Sequence, residues 1–184
     1  MIKTVGVVGA GTMGNGIAQV FAQAGFSVRL IDVAQPMLDR ARRSIEKSLS
    51  KFVEKNVLTA EARDATMGRL ATGTALDRLG DADYVVEAIV EDAEAKRTLF
   101  TSLDAFVKPE VILASNTSSI SVTLLGAATK RADKVLGMHF MNPVPVMKLV
   151  ELIRGQATSP ESMRIAPRDA PATSTASSMP RVMS

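Results

Sequence analysis

A chain of 184 residues and 19.5 kDa is long enough for one ordinary domain and a short appendage. With 46% hydrophobic and 22% charged residues it has the composition of a core-former, and the absence of cysteine excludes disulfides, thiolate zinc sites and a cysteine nucleophile. A formal charge of +3 without aromatics among the basic residues does not point to nucleic acid, and one histidine is too few for a structural zinc site, so no metal is expected.

No charged residue stands between Lys3 and Arg29. Gly9, Gly11, Gly14, Asn15, Gly16 and Gln19 break this stretch, so it is neither the compact apolar region of a secretory signal nor a membrane span. A cytoplasmic protein without membrane contact is expected. Within the stretch, Val5 to Val8 reads as a buried parallel strand, and Ile17, Val20 and Phe21 recur at helical spacing until Gly25 closes the helix. Ser27 to Ile31 is a second strand ending at Asp32, which completes a βαβ unit.

The next segment is a long helix with Leu38, Ala41, Ile45, Leu49 and Phe52 on one face. Arg40, Arg43, Lys47, Lys51 and Lys55 lie largely off that face, as a solvated surface or as one that meets an anionic ligand such as a nucleotide phosphate. A second helix is expected over Ala60 to Leu70. Tyr84 to Val86, Val111 to Ala114 and Val135 to Met138 read as strands, with a helix from Ala93 to Phe106, and Met147 to Ile153 reads as a last strand. The alternation predicts a Rossmann-type α/β fold, a doubly wound and mostly parallel sheet, over residues 1–154. Residues 155–184 carry half of the chain's prolines, many Ser, Thr and Ala, and no aromatic, so a disordered low-complexity tail is expected there.

Gly9-Ala10-Gly11-Thr12-Met13-Gly14 fits G-x-G-x-x-G in the required context, after a strand and opening a helix. The first glycine permits the turn, the second lets a pyrophosphate approach, and the third lets helix and strand pack closely. The helix N-terminus would receive the phosphates. Asp32 would accept hydrogen bonds from a ribose 2′-hydroxyl and repel a 2′-phosphate, so NAD is the expected cofactor rather than NADP. Arg29 points the other way, but lies within the strand.

Alcohol oxidation releases a proton as well as a hydride, and the lone histidine, His139, is the natural proton acceptor. It stands at the C-terminal end of a predicted parallel strand, where ligands bind in such sheets. Glu151 lies on the next predicted strand between Val150 and Leu152, and an acid in that setting needs a partner. Pairing with the imidazole would fix its tautomer. Ser115-Asn116-Thr117-Ser118-Ser119, also after a strand, reads either as a helix cap before Ile120 or as donors to a substrate oxygen and the nicotinamide.

Gly9-x-Gly11-x-x-Gly14, Val86-Glu87-Ala88-Ile89-x-Glu91, Ser115 to Ser119, and His139-Phe140-x-Asn142-Pro143-Val144-Pro145 through Glu151 stand in one order and spacing. Together they resemble the 3-hydroxyacyl-CoA dehydrogenase family, on the side of its bacterial 3-hydroxybutyryl-CoA dehydrogenases. The resemblance runs from Lys3 to about Ser159. It implies reversible hydride transfer between NAD and C3 of an (S)-3-hydroxyacyl-CoA, in fatty acid or butanoate metabolism. It also implies that His139 is the general base, Glu151 its orienting partner, and Ser118 a donor to the 3-oxygen beside the nicotinamide. Asp32 would hold the adenosine ribose, and Glu91, Lys96 and Asn142 would contact the nicotinamide half. Ser48 and Lys55 match positions that touch coenzyme A.

Members of the family continue into a helical domain that completes the acyl-CoA site, carries a catalytic asparagine and forms the dimer. The tail resembles no such domain, so a truncated or frame-shifted chain, monomeric or prone to aggregation, is expected. Two functional expectations therefore stand together: an active dehydrogenase, and an NAD-binding fragment with little chemistry. Other dehydrogenase classes fit less well. The tyrosine four residues before a lysine that short-chain reductases need is missing, since Tyr84 is followed at that distance by Ala88.

Overall fold

The computed structural model describes residues 2–165. Seven strands form one sheet in the order β3-β2-β1-β4-β5-β6-β7, from β1 (Thr4–Val8), β2 (Ser27–Ile31), β3 (Leu70–Gly73), β4 (Tyr84–Glu87), β5 (Ile112–Ser115), β6 (Val135–Phe140) and β7 (Val150–Arg154). The first six are parallel, and β7 pairs with β6 antiparallel. This is the expected doubly wound sheet, and its order reverses between β1 and β4, where a crevice opens at the strand C-termini.

Strand alternation divides the core into two layers. Val5 and Val7 of β1, Tyr84 and Val86 of β4, and Leu136, Met138 and Phe140 of β6 face one side. There they meet helices α1 (Thr12–Gln23) and α2 (Gln35–Glu54) through Ile17, Phe21, Leu38, Ile45 and Leu49. Val8, Val85, Leu113 and Val135 face the other side, against Phe100 and Leu103 of α4 (Ala93–Phe106) and Leu125 of α5 (Val122–Ala127). Helix α3 (Ala60–Gly68) follows α2, and Thr59 caps it by accepting from the backbone of Ala62.

Three expectations shift. Edge strand β3 was not predicted: Leu-Ala-Thr-Gly has no apolar run, and the pattern of α3 reads through it to Leu70. The last strand begins at Val150 instead of Met147, because Phe140 pairs with Val150 and nothing beyond Phe140 remains in the sheet to pair with Met147 to Leu149. Order also extends past Arg154. Thr158 is buried, with its hydroxyl donating to the Val135 carbonyl at 2.5 Å and accepting from the Gly155 N–H at 2.9 Å. Helix α6 (Pro160–Ile165) follows, tied through Ser162 to the Asp133 carbonyl. These polar anchors hold a segment whose composition reads as tail. The disorder expected of residues 166–184 lies outside the described residues.

Candidate functional site

Every parallel strand ends at the same edge of the sheet, so the segments after β1, β2, β4, β5 and β6 converge there. After β1, Gly9 has φ 103° and donates its N–H to the Ile31 carbonyl at 2.8 Å, turning the chain over the end of β2. A Cβ on Gly14 would lie 1.7 Å from the Gly9 carbonyl oxygen, so α1 reaches this close to the turn only with glycine there. A Cβ on Gly11 would meet nothing within 4 Å and would project into open space. Helix α1 begins with no side-chain cap and no acid in its first turn, which leaves its N–H groups and dipole available to an anion.

Asp32 sits beside this turn. Its carboxylate accepts from the Ala10 N–H at 2.8 Å and the Ala34 N–H at 3.0 Å, so it also fastens the glycine turn to the end of β2. Lone pairs remain on both oxygens for ribose hydroxyls. Arg29 is committed elsewhere, to Asp81 at 2.8 Å. A cleft of about 450 Å³ runs past Gly9, Gly11, Asp32 and Val33 to Ala88, Ile89 and Val90. Its apolar walls and single acid suit an adenosine.

A second cleft, of about 330 Å³, shares Ala88 and Ile89 with the first and lies across the crevice. Met13, Glu91, Lys96, Asn116, Ser118, His139 and Asn142 line it. The sheet thus brings Glu91, Lys96, Ser118, His139 and Asn142, spread over 52 residues of chain, to one hollow. Open space at Gly11, an uncapped helix start and paired clefts on either side are what a dinucleotide requires, and the residues present fit NAD.

His139 and Glu151 are direct partners in the β6–β7 register, so alternation puts both side chains on one face. Because β7 runs antiparallel, its first residues meet the C-terminal end of β6. Nδ1 of His139 lies 3.0 Å from Oε2 of Glu151. A carboxylate only accepts, so Nδ1–H donates and Nε2 is left as the acceptor. The imidazole is about a quarter exposed, with a side-chain value of 23%.

Ser115 to Ser119 does not cap a helix before Ile120, since α5 begins only at Val122. These residues are gathered instead by two carboxylates. Glu87, at the end of β4 and fully buried, accepts from the Ser115 hydroxyl at 2.6 Å and from Lys96 Nζ at 2.5 Å. Glu91 accepts from the Thr117 hydroxyl, from the N–H groups of Ser118 and Ser119 at 3.0 and 3.2 Å, and from the Ser119 hydroxyl at 3.1 Å. Partial burial raises the Glu91 pKa, but the Thr117 hydroxyl, the Lys96 charge and the Ser118 N–H outweigh it and hold the carboxyl down at about 2. Asn116 accepts from the Phe140 N–H at 2.8 Å and thereby fixes the floor between β5 and β6.

Lys96 is 1% exposed, so its ammonium is spent on Glu87 and Glu91 at the wall of the cleft. Ser48 and Lys55, on and just after α2, line neither cleft. The basic face of α2 is solvent-exposed at Arg40, Arg43, Lys47, Lys51 and Lys55. Sequence reasoning did not single out Glu87 as a site residue in its own right. The available signal was an acid closing the apolar run Tyr84-Val85-Val86.

The family model described as 3-hydroxyacyl-CoA dehydrogenase, NAD binding domain, matches residues 4–168. The chain is similar to a probable 3-hydroxybutyryl-CoA dehydrogenase of Deinococcus radiodurans, 55% identical over 160 residues that cover 87% of this chain and 57% of the relative. It is also similar to the mitochondrial hydroxyacyl-coenzyme A dehydrogenase of Homo sapiens, 44% identical over 165 residues that cover 86% and 52%. Among solved structures, the (S)-3-hydroxybutyryl-CoA dehydrogenase of Ralstonia eutropha matches with a TM-score of 0.86 and 45% identity, over 88% of this chain and 57% of its own. The chain spans little more than half the length of these relatives. With four motifs on one sheet edge and a family match over most of its length, the chain belongs to the 3-hydroxyacyl-CoA dehydrogenase family and carries that family's NAD-binding domain.

Proposed function

We propose that this chain serves NAD-dependent interconversion of (S)-3-hydroxyacyl-CoA and 3-ketoacyl-CoA, of the 3-hydroxybutyryl-CoA and acetoacetyl-CoA type. The observation that carries the reading is the His139–Glu151 pair, which presents a free imidazole nitrogen to a cleft adjoining the dinucleotide crevice. In oxidation the substrate loses the 3-hydroxyl proton and the C3 hydrogen with its electron pair. NAD, when bound, supplies the hydride acceptor. His139 Nε2 takes the hydroxyl proton while Nδ1–H stays on Glu151, which stabilises the imidazolium as it forms. In reduction the same nitrogen returns the proton.

Ser118 donates to the 3-oxygen from the loop that Glu91 organises, and Asn142 and Lys96 border the nicotinamide half. Asp32 receives the adenosine ribose. Gly9, Ala10, Gly11, Thr12, Met13 and Gly14 surround the pyrophosphate. Ser48 and Lys55 would meet coenzyme A from α2 when the acyl chain enters. Residues 1–154 with the α6 segment form the cofactor unit in this reading.

The compartment implied is the cytoplasm, and among the described residues no helix is long and apolar enough to cross a membrane. Taken alone, the chain exposes Leu124, Val146, Met147 and Ile165, and is read as monomeric or self-associating in the absence of further partners.

The test is NADH oxidation with acetoacetyl-CoA, beside His139→Gln. The variant should bind NADH nearly as well and lose on the order of 100-fold or more in kcat. Equal turnover by both proteins would remove His139 from the chemistry. A second reading, cofactor binding with little turnover, rests on the match of residues 4–168 to a domain described as NAD-binding. NADH binding without turnover by the unaltered chain would select it.

A further inference from the structure

Three charged side chains meet at the wall of the second cleft, and they do not cancel. Lys96 Nζ lies 2.5 Å from Glu87 Oε1 and 3.2 Å from Glu91 Oε2, so one ammonium serves two carboxylates. The sequence builds this cluster in a short span. Glu87 closes β4, Asp92 caps α4 by accepting from the Ala95 N–H at 2.7 Å, and the first turn of that helix carries Lys96 inward. Glu87 and Lys96 are enclosed by protein, whereas the Glu91 side chain is 38% exposed.

The excess negative charge therefore stands on the side that opens to the cleft. No other lysine or arginine lines this cleft among the described residues. The hydrogen bonds from Thr117, Ser118 and Ser119 stabilise Glu91 as the anion, and its low pKa keeps it ionised across physiological pH.

A nicotinamide ring carries a positive charge when oxidised and none when reduced. We propose that the Glu87–Lys96–Glu91 cluster sets the redox preference of the cofactor site, raising affinity for NAD+ relative to NADH through its net negative charge. This rests on the reading of the second cleft as the nicotinamide site. The adenosine and pyrophosphate are the same in both cofactor forms, so their contributions cancel in the ratio of the two dissociation constants. The ring charge does not cancel, and by the same linkage the cluster biases the bound couple toward its oxidised form. Glu91 acts at the cleft surface, and Glu87 acts from behind Lys96 without reaching the ligand.

The experiment is calorimetric titration of the full chain with NAD+ and with NADH, for the unaltered protein, Glu91→Gln and Glu87→Gln. Each substitution removes one negative charge and keeps one acceptor oxygen, the amide nitrogen replacing the second carboxylate oxygen that faces Lys96 or Ser115. The ratio Kd(NAD+)/Kd(NADH) should rise in both variants on the order of tenfold, as expected for one unit charge near a protein surface. A rise in Glu91→Gln alone would mean a local contact and would overturn the role of the cluster.

Equal weakening of both cofactors, with the ratio unmoved, would make the cluster merely structural and would also overturn the proposal. The unaltered protein supplies a measurement that needs no variant. Raising salt from about 0.05 M to about 0.5 M should increase the same ratio, because screening weakens the attraction that the ring charge adds, while its effect on the pyrophosphate is common to both forms and cancels. A ratio independent of salt counts against the proposal. Failure of either cofactor to bind the unaltered chain would instead bring down the reading of the cleft itself.

Discussion

His139 acquires its place from a cross-strand register. Facing Glu151 in an antiparallel pair holds the imidazole by one nitrogen and leaves the other toward the cleft. Asp32 is similarly double in purpose: one carboxylate ties the Ala10 and Ala34 N–H groups and still lines the first cleft. Replacing it with Asn keeps an acceptor but removes the charge that repels a 2′-phosphate. Asp32→Asn should narrow the preference for NAD over NADP by tenfold or more, read from the two dissociation constants. An unchanged preference would sink the ribose assignment. The lone histidine and the acid at the end of β2 were legible because each is singular in its local pattern. Glu87 was not, because a buried acid becomes meaningful only with Ser115 and Lys96 against it, 28 and 9 residues away.

At the scale of elements, the start of α1 separates two uses of glycine. Gly14 answers to packing, since its Cβ would collide with the Gly9 carbonyl. Gly11 has φ −67°, which any residue adopts, and faces open space. Gly14→Ala should therefore destabilise the fold by about 1–3 kcal/mol, lowering the urea midpoint. Gly11→Ala should leave that midpoint nearly unchanged and weaken NAD binding at least tenfold, because the new methyl occupies space that a pyrophosphate needs. Equal loss of stability in the two variants would contradict this division. The extents of β2 and α4 were readable from local pattern, as runs bounded by an acid and by a cap. Strand β3 was not, because a four-residue edge strand takes its conformation from pairing with β2 and not from its own sequence.

Across the whole molecule, stability depends on carboxylates held ionised by distant partners. Asp104 is partly buried, which raises its pKa, but the Lys130 N–H and the Arg131 guanidinium outweigh this and bring it below the usual range. Arg131 in turn bonds the carbonyls of Asp104 and Val107, fastening the end of α4 to the segment before β6. Asp83 is also lowered: the Thr4 and Lys3 N–H groups outweigh its burial. Glu91 falls to about 2.

These carboxyls bind protons less tightly in the folded chain than in the unfolded one, so the unfolded state takes up more protons as pH falls. Their stabilisation is complete above about pH 5 and is lost as pH falls through the folded values, for Glu91 toward about 2. The urea midpoint should decline steadily from about pH 5 to about pH 3. Asp104→Asn should show a lower midpoint at neutral pH and a shallower decline. A midpoint indifferent to acid would refute the linkage.

By itself the sequence determined the alternation of strands and helices, the glycine turn with its acid, and the histidine with its neighbouring motif. Each of these is a matter of local spacing, and local spacing survives in one dimension. The tertiary structure alone decided that β4 lies beside β1 and opens the crevice, that β7 runs backwards and lays Glu151 against His139, and that Lys96 is shared by two carboxylates. It also decided that Thr158 anchors a segment whose composition reads as tail. Those outcomes depend on which distant residues share a sheet edge or a buried hollow, and the free energy of burying a polar group is settled by the partner it finds there.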